Sequence, residues 1–197
     1  MGDRFGRRDV ALIVCLVLAG LSAASASLAK QVPRDVIAEL GLDKRDMPAG
    51  YRIQRDDIGT LQGTRTQIWR TKETVEVKVN PSETPKPPFP APPTRSIKQP
   101  LGTITLSVWV EANPNSALIR LKKEMDPKAK HRAGGPLGRR IGDRSYIPTS
   151  ADGTTVLFTR ANVAVKLEGT SPKRGVSPSL IDRLARTIDA KIRKLAR

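Results

Sequence analysis

The stretch from Gly138 to Leu195 constrains the fold more than any other part of the chain. Gly153-Thr-Thr-Val-Leu-Phe-Thr-Arg160 and Val163-Ala-Val-Lys-Leu167 are separated only by Ala161-Asn162. Both runs are β-branched and apolar enough to pair, and a two-residue gap makes them a tight hairpin. Asn162 tolerates the left-handed backbone that such a turn demands. Ser177-Pro-Ser-Leu-Ile then opens a helix with Ile181, Leu184, Ile188, Ile192 and Leu195 on one stripe. A hairpin followed by an amphipathic helix predicts a sheet closed by a helix.

Strand patterns dominate the first half. Tyr51 to Arg55 and Thr64 to Arg70 are β-prone, with turns over Met47 to Gly50 and Gly59 to Gly63. Glu73 to Asn80 alternates, with Val75, Val77 and Val79 on one face, which predicts a half-buried strand. Thr103 to Ala112 is the strongest pattern: Ile104, Leu106, Val108 and Val110 face one way, Trp109 the other. Trp109 and Trp69 are expected to pack under other elements rather than stack on a ligand. Gln31 to Leu42 predicts a short helix ended at Gly41. Asn113-Pro114 starts another, with an N-cap side chain and proline at the first helical position. Leu118, Leu121 and Met125 form its expected buried stripe, with Arg120, Lys122 and Lys123 on the wet side. No repeat period is visible. The predicted fold class is α+β, a single domain with a curved antiparallel β-sheet packed against helices.

The N-terminus predicts export. Arg4, Arg7 and Arg8 precede the apolar run Val10 to Leu21, which is too short to span a bilayer comfortably. Ala24-Ser25-Ala26 fits a small-x-small cleavage site, and Ser27-Leu28-Ala29 is the second choice. Residues 1–26 are therefore expected to be a signal peptide and 27–197 the domain. Retention by an uncleaved anchor is the alternative. Leu21 stands where a lipoprotein would carry cysteine. The single Cys15 leaves with the signal, so disulfides, thiolate metal sites and a cysteine nucleophile are not expected in the mature chain. The expected location is the periplasm or the exterior.

Pro81 to Pro93 is proline-rich and favours extended geometry. The piece before it is too short to hold its own core, so a long loop inside one domain is expected. It is either a stiff spacer or a docking segment around Phe89.

The formal charge is +16, and +15 without the signal. Leu118 to Arg144 carries net +6, and so does Pro172 to Arg197. Two stretches therefore hold most of the charge, and each contains a predicted helix. Such a field attracts anionic partners and is screened by salt, although a merely solvated surface produces the same composition.

The catalytic inventory is thin. His131 is the only histidine, no carboxylate adjoins it to orient it, and a solvated loop residue is expected. No nucleophile elbow, phosphate loop or dinucleotide fingerprint occurs. Asp56-Asp57 point to opposite faces of an extended chain and make no acid/base pair. No catalytic residue, metal ligand or cofactor is therefore assigned. The basic helix-loop from Lys122 to Arg144 is the candidate for binding an anionic envelope component or a protein partner. Its candidate residues are Lys122, Lys123, Lys128, Lys130, His131, Arg132, Arg139 and Arg140, with Gly134-Gly135 offering free amides. Nucleic acid is not expected, because aromatics are 4% of residues and none interleaves with the basic run. Peripheral association with an anionic membrane is compatible with the charge.

The C-terminal half resembles small exported domains of PsbP-like fold, including the LpqN-type proteins of actinobacterial envelopes. The likeness rests on the helix with Leu118 and Leu121, on Leu137-Gly-Arg-Arg-Ile-Gly-Asp-Arg-Ser-Tyr146, on Thr155 to Val165, and on the closing helix. Those domains show a Gly-Asp-x-x-aromatic step before a hairpin ending in Gly-Asn; here Ala161 replaces the glycine. The resemblance implies a curved antiparallel sheet between helices and a non-catalytic binding or accessory role. It supplies no functional residues.

Overall fold

A computed structural model describes residues 31–79, 95–148, 153–172 and 176–196. The expected signal peptide and the Pro-rich loop 81–93 lie outside the described residues. The fold is α+β, an antiparallel sheet packed against helices.

Seven strands make the sheet: β1 (Tyr51–Gly59), β2 (Thr64–Thr71), β5 (Thr103–Val110), β9 (Val163–Thr170), β8 (Gly153–Arg160), β7 (Arg144–Pro148) and β6 (His131–Ala133), in that spatial order. A separate two-stranded ribbon pairs β3 (Thr74–Val79) with β4 (Arg95–Pro100). Every pairing is antiparallel. Helix α1 (Pro114–Glu124) lies on β5, β8 and β9, and helix α2 (Pro178–Leu195) on β8 and β9.

The strand alternation assigns the two helices to opposite faces. Ile104, Leu106, Val108, Val156, Phe158, Val165 and Leu167 are buried in one cluster with Ile181, Leu184, Ile188 and Ile192 of α2. Leu157 and Ala164 point the other way. They are buried on the α1 side, as are Ala117 and Leu121 of that helix. Trp69 belongs to the main core, whereas Trp109 lies on the α1 face with the Arg120 guanidinium 5.7 Å from its ring centre. Both tryptophans thus pack, as expected. Arg120 keeps 38% of its side chain exposed on the wet side while its Nε donates to Glu111 at 3.0 Å.

Three sequence expectations are refined in the structure. Residues 31–42 do not form an α-helix; a 3₁₀ segment covers Arg34–Glu39. Side chains of the sheet take over its backbone groups. Arg65 donates to the Ala38 carbonyl, and Gln67 bonds both the amide and the carbonyl of Leu42. The strand over Val75 and Val77 is half-buried with its other face exposed, as expected, but it lies outside the main sheet. It pairs with β4, whose sequence Arg-Ser-Ile-Lys-Gln-Pro carries too little apolar pattern to predict a strand. The basic loop after α1 contains the edge strand β6.

The final hairpin follows expectation in register, with Arg160 opposite Val163 and Ala161-Asn162 as its turn. The division of labour within the turn differs. Ala161 takes the left-handed backbone, with φ +50°. Asn162 instead uses its side chain to hold the N-terminal segment. Its Oδ1 accepts from Val32 N at 2.7 Å, and its Nδ2 donates to the carbonyls of Val32 and Glu111 at 2.9 and 2.8 Å. A Cβ in the left-handed region costs about 1–2 kcal/mol, and glycine gives back part of that through unfolded-chain entropy. Ala161→Gly is therefore expected to raise stability by about 0.5–1 kcal/mol, read from urea unfolding. An unchanged or lowered midpoint would show that the turn carries no such strain.

Candidate anion-binding edge

The chain from α1 to β7 lies along the sheet edge that β6 forms. Asn113 caps α1 by accepting from Ser116 N at 2.9 Å, and the helix ends at Met125. Lys122 and Lys123 occupy its last turn, where the helix dipole favours cations. Lys128 and Lys130 follow in the connection, Arg132 in β6, and Arg139 and Arg140 in the glycine-rich loop before β7. All seven are exposed. Among the described residues Lys122, Lys123, Lys128, Arg132, Arg139, Arg140 and neighbouring Arg144 make no ion pair. Of the acids close by, Asp143 pairs with Arg160 at 2.9 Å, Asp126 accepts from Lys128 N at 2.8 Å, and Glu124 lines the cavity beside His131.

A cavity of ≈ 380 Å³ opens in this edge, lined by Gly134, Gly138, Arg140, Arg144, Ser145 and Tyr146 among others. The glycines do not supply free amides to it. Gly134 N donates to Ser145 O at 2.9 Å, Gly135 N to Arg139 O at 2.8 Å and Gly138 N to Gly135 O at 2.9 Å. Anion recognition here rests on guanidinium and ammonium groups, without a backbone nest.

His131 is not a solvated loop residue. It sits in β6 opposite Pro148, partly buried, with its Nε2 shielded from solvent and without a hydrogen-bond partner. Glu124, Asp126, Lys166 and Glu168 line the same cavity of ≈ 160 Å³. The ring is turned inward while its neighbours Lys130 and Arg132 are exposed. Strand alternation, invisible in a sequence read as loop, accounts for the difference. Among the described residues no group of three His, Cys, Asp or Glu side chains is placed to hold a metal.

The second cationic stretch behaves differently. In α2, Arg186 pairs with Asp182 at 2.7 Å and Arg193 with Asp189 at 3.4 Å, both at the i, i+4 spacing foreseen. Asp182 and Asp189 side chains are only 7% exposed. Asp189 also takes a two-pronged bond from Arg160, at 2.8 and 3.0 Å, which raises the guanidinium's affinity for its proton. Arg183 donates to the Asp46 carbonyl, and Lys191 to Gly41 O, Asp43 and Asp46. Of the described cations in this stretch only Lys194 has no such tie. Helix α2 uses its charge to bind its own domain.

That internal network carries a pH dependence. The Lys191 ammonium hydrogen-bonds Asp43 and holds its carboxyl below the ordinary value. Burial pushes Asp56 up, but hydrogen bonds from Arg65 and Gln67 outweigh it and leave Asp56 lowered too. A carboxyl lowered on folding stabilises the protein above its unfolded pKa, and that contribution disappears as the pH falls through the folded value. The urea midpoint is expected to fall as the pH drops below about 4. In Asp43→Asn/Asp56→Asn the high-pH plateau should be lower and the acid limb flatter. An acid limb identical to the parent's would remove these two groups from the account.

Compared with family models, with curated proteins and with solved structures, the chain has no match.

Proposed function

We propose that this chain is an exported, non-enzymatic binding domain that engages an anionic component of the cell envelope through its cationic edge. One observation carries the reading. The cations Lys122, Lys123, Lys128, Arg132, Arg139, Arg140 and Arg144 are exposed and, among the described residues, lack carboxylate partners, whereas those of α2 other than Lys194 are tied into the fold. Leaving charge unneutralised along one edge favours an external anion, and each such side chain adds about 1 kcal/mol near an anionic surface. The PsbP-like resemblance, with its curved sheet between helices, supports an accessory role of this kind and stays a proposal beside it.

The test is co-sedimentation with vesicles of anionic and of neutral lipid, and retention on an acidic polymer, across a salt series. Binding to the anionic supports should weaken steeply with salt. Lys122→Glu/Lys123→Glu/Lys128→Glu should lose it, while Lys194→Glu, on the other charged helix, should not. Absence of binding at low salt, or equal loss in both variants, would overturn the proposal.

A second reading has its own observation. The ribbon strands β3 and β4 flank the Pro-rich segment in sequence, and their shared face carries Val75, Val77 and Ile97, the last 42% exposed. That face suits a structural or assembly role in which the ribbon and its Pro-rich loop dock a partner. Deleting Pro81 to Pro93 should then abolish a pull-down that charge reversal at Lys128 and Lys130 leaves intact.

A further inference from the structure

A different cavity lies where the ribbon leaves the sheet. It has a volume of ≈ 500 Å³, and its polar lining includes Arg70, Lys98, Gln99, Thr103, Thr170 and Ser171. The register explains how these residues meet. Arg70 stands opposite Thr103, and Thr103 opposite Thr170, so one row crosses three adjacent strands on the α1 face. Helix α1 starts beyond the other end of β5, after Asn113, and leaves this row uncovered. Lys98 and Gln99 come from β4 of the ribbon.

The root of the ribbon is held in place by four bonds. Thr71 N donates to Gly102 O at 3.0 Å and Leu101 N to Glu73 O at 2.9 Å. The Thr71 hydroxyl accepts from Gly102 N and donates to Glu73 O, both at 3.0 Å. The angle between ribbon and sheet is therefore set by the backbone, and the cleft exists before any ligand arrives.

The chemistry of the wall is one-sided. Among the described residues no carboxylate lines it. Arg70 and Lys98 make no ion pair among the described residues, and Lys98 does not close one with Glu76 across the ribbon. A guanidinium and an ammonium converging on one cleft recognise an oxyanion, the guanidinium with two parallel donors. Threonine hydroxyls and a glutamine amide beside them match a hydroxylated body attached to that oxyanion. The volume falls within the range of small-molecule sites, about 300–1,000 Å³.

We infer that the cleft between the ribbon root and the sheet end is a binding site for a phosphate ester of a polyhydroxylated small molecule, a sugar phosphate. Arg70 and Lys98 hold the phosphate, and Gln99, Thr103 and Thr170 hold the hydroxyls. This site is separate from the cationic edge and stands or falls without it.

The test is calorimetric titration of the full chain at fixed ionic strength with glucose 6-phosphate, inorganic phosphate and glucose. Glucose 6-phosphate should bind about 10-fold more tightly than inorganic phosphate, and glucose alone should give no heat. Arg70→Gln and Lys98→Gln should each weaken glucose 6-phosphate by about 10-fold, with unchanged thermal unfolding. Lys122→Glu/Lys123→Glu/Lys128→Glu should leave the affinity as it was. The inference is overturned by no detectable binding, by equal affinity for phosphate and its sugar ester, by insensitivity to both cleft variants, or by loss in the edge variant.

Discussion

Asn162→Ala should destabilise the protein by about 3–4 kcal/mol and lower the thermal midpoint by roughly 10 °C. Asn162 is 2% exposed, and its amide is the junction of three segments. It pairs with both backbone groups of Val32, as a neighbouring strand would, and also donates to the Glu111 carbonyl. Truncation strands a buried N–H and two carbonyls and leaves a gap beneath the N-terminal segment. Val32, Ile37 and Leu40 belong to the core cluster, so loosening that segment also exposes apolar surface. Asn162→Asp separates the hydrogen bonds from the volume. It retains an acceptor for Val32 N but turns a carboxylate oxygen towards two carbonyls. Burial beside those oxygens raises the carboxyl's pKa, so the deficit of this variant should shrink as the pH falls below about 4–5, where the acid can donate. A deficit below about 1 kcal/mol in Asn162→Ala would show that the junction is solvated instead.

Gly142→Ala is expected to cost about 3 kcal/mol or more, from two independent causes. Gly142 has φ +66°, a left-handed backbone, and a Cβ there would overlap the Thr159 carbonyl oxygen and stand 3.0 Å from Phe158 Cδ2. Neither neighbour can yield. Thr159 O already accepts from Asp143 N, and Phe158 is fully buried. Asp143 in turn braces the hairpin turn, accepting from Ala161 N at 2.8 Å and from Arg160 at 2.9 Å. The Gly-Asp pair thus clamps the loop before β7 to the end of β8. Urea unfolding measures the loss. Because Arg139 and Arg140 sit on this loop and Arg144 follows it at the start of β7, anionic-vesicle binding should fall with it, and an unchanged stability would refute the clamp.

Much of the fold was legible from residue pattern. Alternation located β5, β-branched and apolar residue type located β2, β8 and β9, and the spacing of Ile181, Leu184, Ile188 and Ile192 located α2, because these are local requirements of burial and propensity. The acid-first pairs of α2 were legible for the same reason: i, i+4 contacts need only a helix. Two elements were hidden. The residues 31–42 carry a helical pattern, yet their backbone groups are claimed by Arg65 and Gln67 from a distant strand. The ribbon strand β4 owes its existence to β3, and its own residues carry little signal.

The candidate edge divides in the same way. By itself the sequence determined that cations concentrate in two stretches and that a hairpin and helix close the domain, since composition, periodicity and turn length are properties of neighbours along the chain. Only the tertiary structure decided that α2 spends its charge on Asp43, Asp46, Asp182 and Asp189 while Lys122, Lys123, Lys128, Arg132, Arg139, Arg140 and Arg144 keep theirs among the described residues. It also turned His131 inward, closed the glycine amides with internal bonds, and assembled Arg70, Thr103 and Thr170 into one row from three strands. Whether a charge is neutralised depends on which carboxylate lies within a few ångströms, and strand register brings such groups together across any separation in sequence.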